Sequence, residues 1–485
     1  MPLIEKVVTP SIQIVQEFCA STNVALEGLP YLATVEQTMS HLSNYFNISF
    51  KSGLNHDLHE AWSNNLPDIL LHRGDTTYSI PNGSACFMGS LHFLSSEIQD
   101  FNIKITHLID TRIDAKREYY IRIIQPIDRD NWLHDIATYA YTEGRGWTLG
   151  LLEVELANGK VHMYPYKTAE QYYMVTDIMF PTSIEDAHHI AFSTALALGL
   201  ITTVVHLDEY YFLFSKTAEF KDIEGLAFFS MRPTVYGQYR IFTTNIFSLE
   251  HSLKQTPPAQ YALSQLYTPT GDIQSGLVDW MNMAVFSNLA RNIYENDSLA
   301  QSASILIETS TYPLEYQGGL FCLALESITS VLTEQDVPNY PMPYQEYETK
   351  VKPHLDDVLT TLHSEGVIDE TVLAIFKKRV KNDIDRETNG DKLKEPFNRM
   401  GYQLTKIDNH YINKRNFIFH GRNIVQRGTT QDKLSYMLHL CLLLHKLCSI
   451  LLLKQAGYSG YIINNPVLYG CDKECKAEEN VLIQI

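Results

Sequence analysis

A chain of 485 residues is too long for one ordinary hydrophobic core, and its length suits about two to four domains or subdomains. With 45% apolar and 19% charged residues it is not a disordered chain, and a formal charge of −18 excludes a protein that coats nucleic acid non-specifically, because phosphate neutralisation needs clustered Lys and Arg. Seven scattered cysteines form no disulfide framework or paired zinc spacing, and MPLIEKVVTPSIQIVQEFC lacks the basic, apolar and small-residue regions of a signal peptide, so a cytoplasmic protein is expected.

Residues 1–252 read as a β-rich domain. The run LLEVELANGKVHMYPY places two strand-like segments around Asn158 and Gly159, a strong hairpin signal. SACFMGSLHFL, NIKITHLI, EYYIRIIQ, QYYMVTDI, EYYFLFS and QYRIFTT are further short runs rich in β-branched and aromatic residues. One helix interrupts them near residues 183–198, with Thr182 and Glu185 at capping-box spacing and an apolar run to Gly199. His188 and His189 on that helix have no partner at ligand spacing and read as structural histidines.

Residues 253–276 carry three prolines and turn chemistry and read as a linker. From 277 to 457 the apolar spacing approaches 3.6, which predicts a bundle of about five or six helices. Residues 458–485 form a tail. Within the helical part, MLHLCLLLHKLCSILLL (437–453) is shorter than a membrane span and carries Lys446 near its middle, so it reads as a buried helix or one at a subunit interface. The expected fold class is therefore α+β, a β-rich N-terminal domain followed by an all-α bundle. No Walker loop, dinucleotide fingerprint, nucleophile elbow or zinc-protease motif marks the N-terminal half.

The polar residues of YINKRNFIFHGRN (411–423) are harder to explain by packing. Arg415, Asn416 and His420 form Arg-Asn-x-x-x-His, in the one basic region of the chain: 15 Lys or Arg against 11 Asp or Glu between Lys350 and Thr430. On one helix Asn416 and His420 share a face, whereas Arg415 and His420 diverge by about 140°. Two copies of the segment about a two-fold axis converge all three. These residue types suit RNA phosphodiester cleavage without a metal or cofactor. Histidine moves the protons of the 2′-hydroxyl and the 5′-oxygen, and arginine stabilises the transition-state charge. Asn416 fixes the histidine tautomer or holds a phosphate oxygen.

This segment, preceded by MGYQLTKIDNH and followed by a long apolar helix, resembles the C-terminal helices of the HEPN superfamily, particularly its ApeA-like branch. The resemblance covers roughly residues 280–455. It implies a HEPN-type bundle, dimerisation across the motif helix, and a metal-independent endoribonuclease with Arg415, Asn416 and His420 as catalytic residues. Glu326 matches a glutamate on an earlier helix of such domains, in a supporting place. Lys414, Arg422, Lys378 and Lys381 are candidate phosphate contacts, with solvated surface charge as their alternative. The resemblance further implies bacterial anti-phage abortive infection, with tRNA or another structured RNA as substrate, a homodimer or higher even oligomer, no membrane, and an N-terminal domain that senses a phage-derived trigger. The competing reading is a non-catalytic dimerisation or binding module whose β domain recognises a phage protein or a carbohydrate.

Overall fold

A computed structural model describes residues 4–27, 37–42, 45–50, 69–89, 101–127, 138–142, 146–239, 241, 281–334, 344–382, 389–419, 430–469, 480 and 482–485. The linker expected at 253–276 lies outside the described residues. The fold is α+β, with an antiparallel sheet in the N-terminal half and helices in the C-terminal half.

The chain opens with a helix that its sequence reading did not anticipate, α1 (Ile4–Cys19). Val8, Ile12, Val15 and Phe18 recur at helical spacing and are almost fully buried, so one stripe of α1 is core. The strands that follow are β1 (Thr22–Glu27), β2 (Gln37–Leu42), β3 (Tyr45–Phe50), β4 (Ile69–Arg73), β5 (Thr76–Ile80), β6 (Ala85–Gly89), β7 (Phe101–Ile105) and β8 (His107–Asp110). Next come β9 (Tyr119–Ile127), β10 (Thr138–Thr142), β11 (Gly146–Leu156), β12 (Gly159–Lys167) and β13 (Tyr172–Thr182). After α2 (Ile184–Thr202) lie β14 (Val204–Val205), β15 (Tyr210–Ser215), β16 (Ile223–Phe229) and β17 (Val235–Tyr236).

Fifteen of these strands form one sheet in the order β10-β11-β12-β13-β9-β15-β16-β8-β5-β4-β1-β2-β3-β7-β6, and every neighbouring pair is antiparallel. The sheet curls strongly. Phe46 on β3 meets Phe228 on β16 edge-on at 4.9 Å, although six strand spacings separate them along the sheet. The curl wraps α1, whose polar side is tied to the sheet by tyrosine hydroxyls: Thr9 with Tyr166 at 2.6 Å, Gln16 with Tyr173 at 3.4 Å and Cys19 with Tyr211 at 3.1 Å.

Strand β9 shows how one strand serves two cores. Ile121, Ile123 and Ile127 face the helical side, whereas Ile124 packs on the α1 side, as period-2 alternation requires. Arg122 also points to the α1 side. Its Nε and Nη2 donate to the two Asp177 oxygens at 2.7 and 2.9 Å, its Nη1 donates to Ser11 on α1 at 3.0 Å, and its guanidinium lies 4.4 Å from the centre of the Phe220 ring. Burial alone would lower the Arg122 pKa, but the charge and hydrogen bonds of Asp177 outweigh it, so the guanidinium stays charged.

The predicted hairpin is present: β11 and β12 pair with Leu156 opposite Gly159. Gly159 has φ +148°, and a Cβ there would stand 2.7 Å from Phe180. The predicted α2 needs two corrections. Its cap is Ser183, whose hydroxyl accepts from Asp186 N at 3.0 Å, one residue later than Thr182 and Glu185. It also runs past Gly199 to Thr202, because Gly199 is there for close packing and not as a stop: a Cβ would stand 2.2 Å from Val205 and 3.0 Å from Ile307. The run NIKITHLI is broken at Thr106 into β7 and β8. Of QYRIFTT, Gln238, Tyr239 and Ile241 have irregular backbone and the rest lies outside the described residues.

The helical half comprises α3 (Met283–Glu295), α4 (Asp297–Glu308), α5 (Leu314–Glu334), α6 (Lys352–Ser364), α7 (Glu370–Asn382), α8 (Asn389–Arg399), α9 (Lys406–Phe419), α10 (Thr430–Gln455) and α11 (Asn465–Leu468). Asn282 and Asn296 cap α3 and α4. Helix α3 also completes the sheet. Ser287 accepts from Glu155 N at 2.8 Å and Met283 sulfur from Glu153 N at 3.0 Å, satisfying donors of β11 that its neighbouring strand does not reach. One hydrophobic cluster therefore runs continuously from β9 and β13 through α2, α3 and α4 to α5 and α10.

Helix α10 is long and apolar enough to cross a membrane, but 83% of its most apolar window is buried inside the protein. The tail contributes β18 (Tyr461–Ile463) and β19 (Leu482–Gln484), paired antiparallel.

Candidate functional site

The motif segment forms α9, which begins with a reciprocal cap. Thr405 Oγ1 accepts from Asp408 N at 3.1 Å, and Asp408 Oδ2 accepts from Thr405 N at 3.0 Å. Asp408 is also the counter-ion of Lys446, the lysine that interrupts the apolar run of α10. Nζ and Oδ1 are 3.0 Å apart, with both side chains at 1% exposure or less. A lysine can sit in that core only because this carboxylate meets it there.

From Asp408 the buried face of α9 continues through Tyr411, Ile412 and Arg415, spaced three and four residues apart. Tyr411 stacks on His439 of α10, with ring centres at 5.0 Å and planes 19° apart, and also meets Tyr436 at 5.3 Å. Because α9 meets Lys446 at its start and Tyr436 further along, the two helices run antiparallel. The C-terminal end of α9 therefore lies level with the first turns of α10, where Gln431 to Leu434 are exposed.

Arg415 sits at that end. It is 5% exposed, and its Nε donates to Glu326 Oε1 on α5 at 2.8 Å. The glutamate is more open, with 40% of its side chain exposed. The bond uses Nε, and the terminal nitrogens make no hydrogen bond among the described residues. Cys322, one turn before Glu326, has its thiol pushed up to about 12, first by burial and then by the Glu326 charge, with Arg415 opposing. It therefore stays a neutral neighbour of the ion pair.

The two residues marked separately in the sequence, Arg415 and Glu326, thus meet through one direct bond. Arg415 reaches α5 of its own chain. Asn416 lies on α9, one residue beyond Arg415, with its side chain outside the described residues, as are His420 and Arg422 entirely. Lys414 is half-buried and Lys378 is exposed on α7, a different part of the helical half; the side chain of Lys381 lies outside the described residues.

Two open cavities among the described residues lie elsewhere. One of about 450 Å³ opens beside Arg73, Tyr78, Asp110 and Arg112, and one of about 400 Å³ beside His189, Phe192 and Arg232. Their cations are engaged. Arg112 forks onto Asp110, Arg232 bonds Glu308 at 2.8 Å, and Arg73 donates to the last carbonyls of α1, including Glu17 O at 2.6 Å. Among the described residues no three His, Cys, Asp or Glu side chains are grouped to hold a metal ion. His188 packs edge-on against Phe229 with centres at 3.9 Å, and burial lowers it to about 4. His445 on α10 is likewise lowered to about 4 by burial, with Nε2 3.2 Å from Leu306 O.

Compared with protein-family models, with curated proteins and with solved structures, the chain finds no match. The sequence reading missed the Asp408–Lys446 pair. Its signal was the lone lysine in an apolar run, which demands a buried carboxylate.

Proposed function

We propose that the chain is a cytoplasmic, metal-independent endoribonuclease of the HEPN type, acting as a homodimer or higher even oligomer in anti-phage abortive infection. The observation that carries the reading is the Arg415–Glu326 ion pair. Glu326 holds the guanidinium by one edge, and the terminal N–H groups remain for a phosphate oxygen. In this scheme His420 of one copy takes the proton of a ribose 2′-hydroxyl, whose oxygen attacks phosphorus. The P–O5′ bond breaks, and the same histidine from a second copy returns a proton to the leaving 5′-oxygen. The products are a 2′,3′-cyclic phosphate and a 5′-hydroxyl. Arg415 offsets the charge on the phosphorane-like transition state, and Asn416 fixes the histidine or a phosphate oxygen. Lys414, Arg422, Lys378 and Lys381 are the candidate phosphate contacts, tRNA or another structured RNA is the substrate, and the β-rich half senses a phage-derived trigger. The test is RNA cleavage in EDTA by wild type and by His420→Ala, with 2′,3′-cyclic phosphate ends scored. Equal cleavage by the two proteins would sink the assignment.

The position of Arg415 on the core side of α9 favours a second reading, a non-catalytic module in which the pair only joins α9 to α5. That reading predicts purified protein that leaves total RNA intact even in extracts of phage-infected cells.

A further inference from the structure

The cavity of about 450 Å³ lies on the α1 side of the sheet, bounded by four neighbouring strands, β16, β8, β5 and β4, and by the last turns of α1. The antiparallel order brings the end of β4, the start of β5, the end of β8 and the start of β16 together, which is how Arg73, Thr76, Asp110 and Ile223 come to line one space. Its volume falls within the range of about 300–1,000 Å³ that small-molecule sites occupy.

Several of its polar groups are incompletely satisfied. Tyr78 is 7% exposed, yet its hydroxyl makes no hydrogen bond among the described residues and is not sealed within protein atoms. A buried tyrosine hydroxyl ordinarily finds a partner. The charges acting on it are those of Asp110, Arg73 and Arg112, all of which line the cavity, so the oxygen faces the same space. Burial and the Asp110 charge raise its pKa against the two arginines, which leaves it a neutral donor. Arg73 is half-buried, with its terminal nitrogens on the carbonyls of Glu17, Phe18 and Ala20. No carboxylate pairs with it among the described residues, so its charge is uncompensated. Arg112 spends Nε and Nη2 on Asp110 and keeps Nη1. Thr76, opposite Arg73 in the β4–β5 hairpin, adds a hydroxyl with no hydrogen bond among the described residues. Glu17 also borders the cavity, but it is exposed and pairs with neither arginine.

A half-buried cation among spare donors selects an anion. A carboxylate is gripped best by two parallel N–H groups of one guanidinium, and here each arginine keeps a single unbonded nitrogen. Single donors from separate side chains suit the three oxygens of a phosphate monoester instead. The volume beyond a phosphate, walled by Ile14, Ile223 and Leu226, leaves room for an organic body.

We propose that this cavity binds a small organic phosphate, with Arg112 Nη1 and the Tyr78 and Thr76 hydroxyls donating to its phosphate oxygens and Arg73 supplying the counter-charge. The inference stands apart from RNA cleavage: a chain that binds such a ligand and leaves RNA intact keeps it and fails the other reading.

The test is titration calorimetry of the full chain with phenyl phosphate, inorganic phosphate and benzoate. Phenyl phosphate is expected to bind at one site per chain, at least about tenfold more tightly than either of the others. Tyr78→Phe and Thr76→Val each remove a hydroxyl that makes no hydrogen bond among the described residues. Each is expected to weaken phenyl phosphate binding about tenfold, with the unfolding midpoint unchanged or raised. Arg112→Lys, which keeps a cation beside Asp110, is expected to lose about as much. Absence of saturable phenyl phosphate binding overturns the proposal, since water alone then fills the cavity. Binding that Tyr78→Phe and Thr76→Val both leave at wild-type strength places the ligand elsewhere and overturns it too. Benzoate bound as tightly as phenyl phosphate overturns the assignment to phosphate.

Discussion

Two buried arginines, one in the curled sheet and one in the helical half, are held in different ways. Arg122 spends both sides of its fork: two bonds to Asp177, one to Ser11 and a ring beneath it, with Asp177 itself nearly inaccessible. Arg415 makes one bond, through Nε, to a carboxylate that is 40% exposed. A saturated guanidinium can only hold the fold together, here joining α1, β9 and β13. An arginine gripped by one edge keeps donors for a ligand, and this asymmetry separates a structural ion pair from a candidate site.

Breaking the saturated pair gives the largest expected effect. Arg122→Met leaves Asp177 buried and uncompensated and is expected to cost about 3–5 kcal/mol in denaturant unfolding, with no selective effect on RNA cleavage. Lys446→Met is expected to cost about 3 kcal/mol, at the lower end of that range because Asp408 keeps its bonds to Tyr402 and Thr405. The buried histidines come next. His445 is neutral in the folded protein, with a pKa of about 4 against an ordinary 6.5, so between those values the unfolded chain binds more protons. Stability is full above about pH 6.5 and falls as pH drops towards 4, by up to about 3 kcal/mol, with His188 adding a contribution of the same sign. Unfolding curves across that range should steepen in acid for wild type and less so for His445→Leu. The smallest effect on stability is expected at the open pair. Arg415→Gln should cost about 1 kcal/mol because Glu326 is already partly solvated, yet it should lower RNA cleavage by about 10²–10³. Chelation by EDTA should change nothing.

Local signals in the sequence carried the elements. The Asn-Gly turn between β11 and β12, the apolar period of α10 and the strand runs around Tyr119 and Tyr210 are each settled by neighbours along the chain. What the sequence did not reveal depends on distant partners. Helix α1 looked like a failed signal peptide because its burial comes from a sheet that curls around it. Helices α4 and α8 escaped notice, α4 for its serines and α8 for Pro396 within it. Sheet order was not legible, since β9 lies between β13 and β15 and β1 joins β4 to β2. At the site, Arg415 and Glu326 were singled out separately, whereas the core-side position of Arg415 follows from the stripe Asp408, Tyr411, Ile412, Arg415 only once the Lys446 pairing is known.

The central claim is that Arg415 serves a ligand and not only the fold. Its most direct test is the rate of RNA cleavage in EDTA by wild type and Arg415→Gln, prepared with matched unfolding midpoints. The account predicts a loss of about 10²–10³ in rate with the fold retained. Cleavage by Arg415→Gln at the wild-type rate would contradict it.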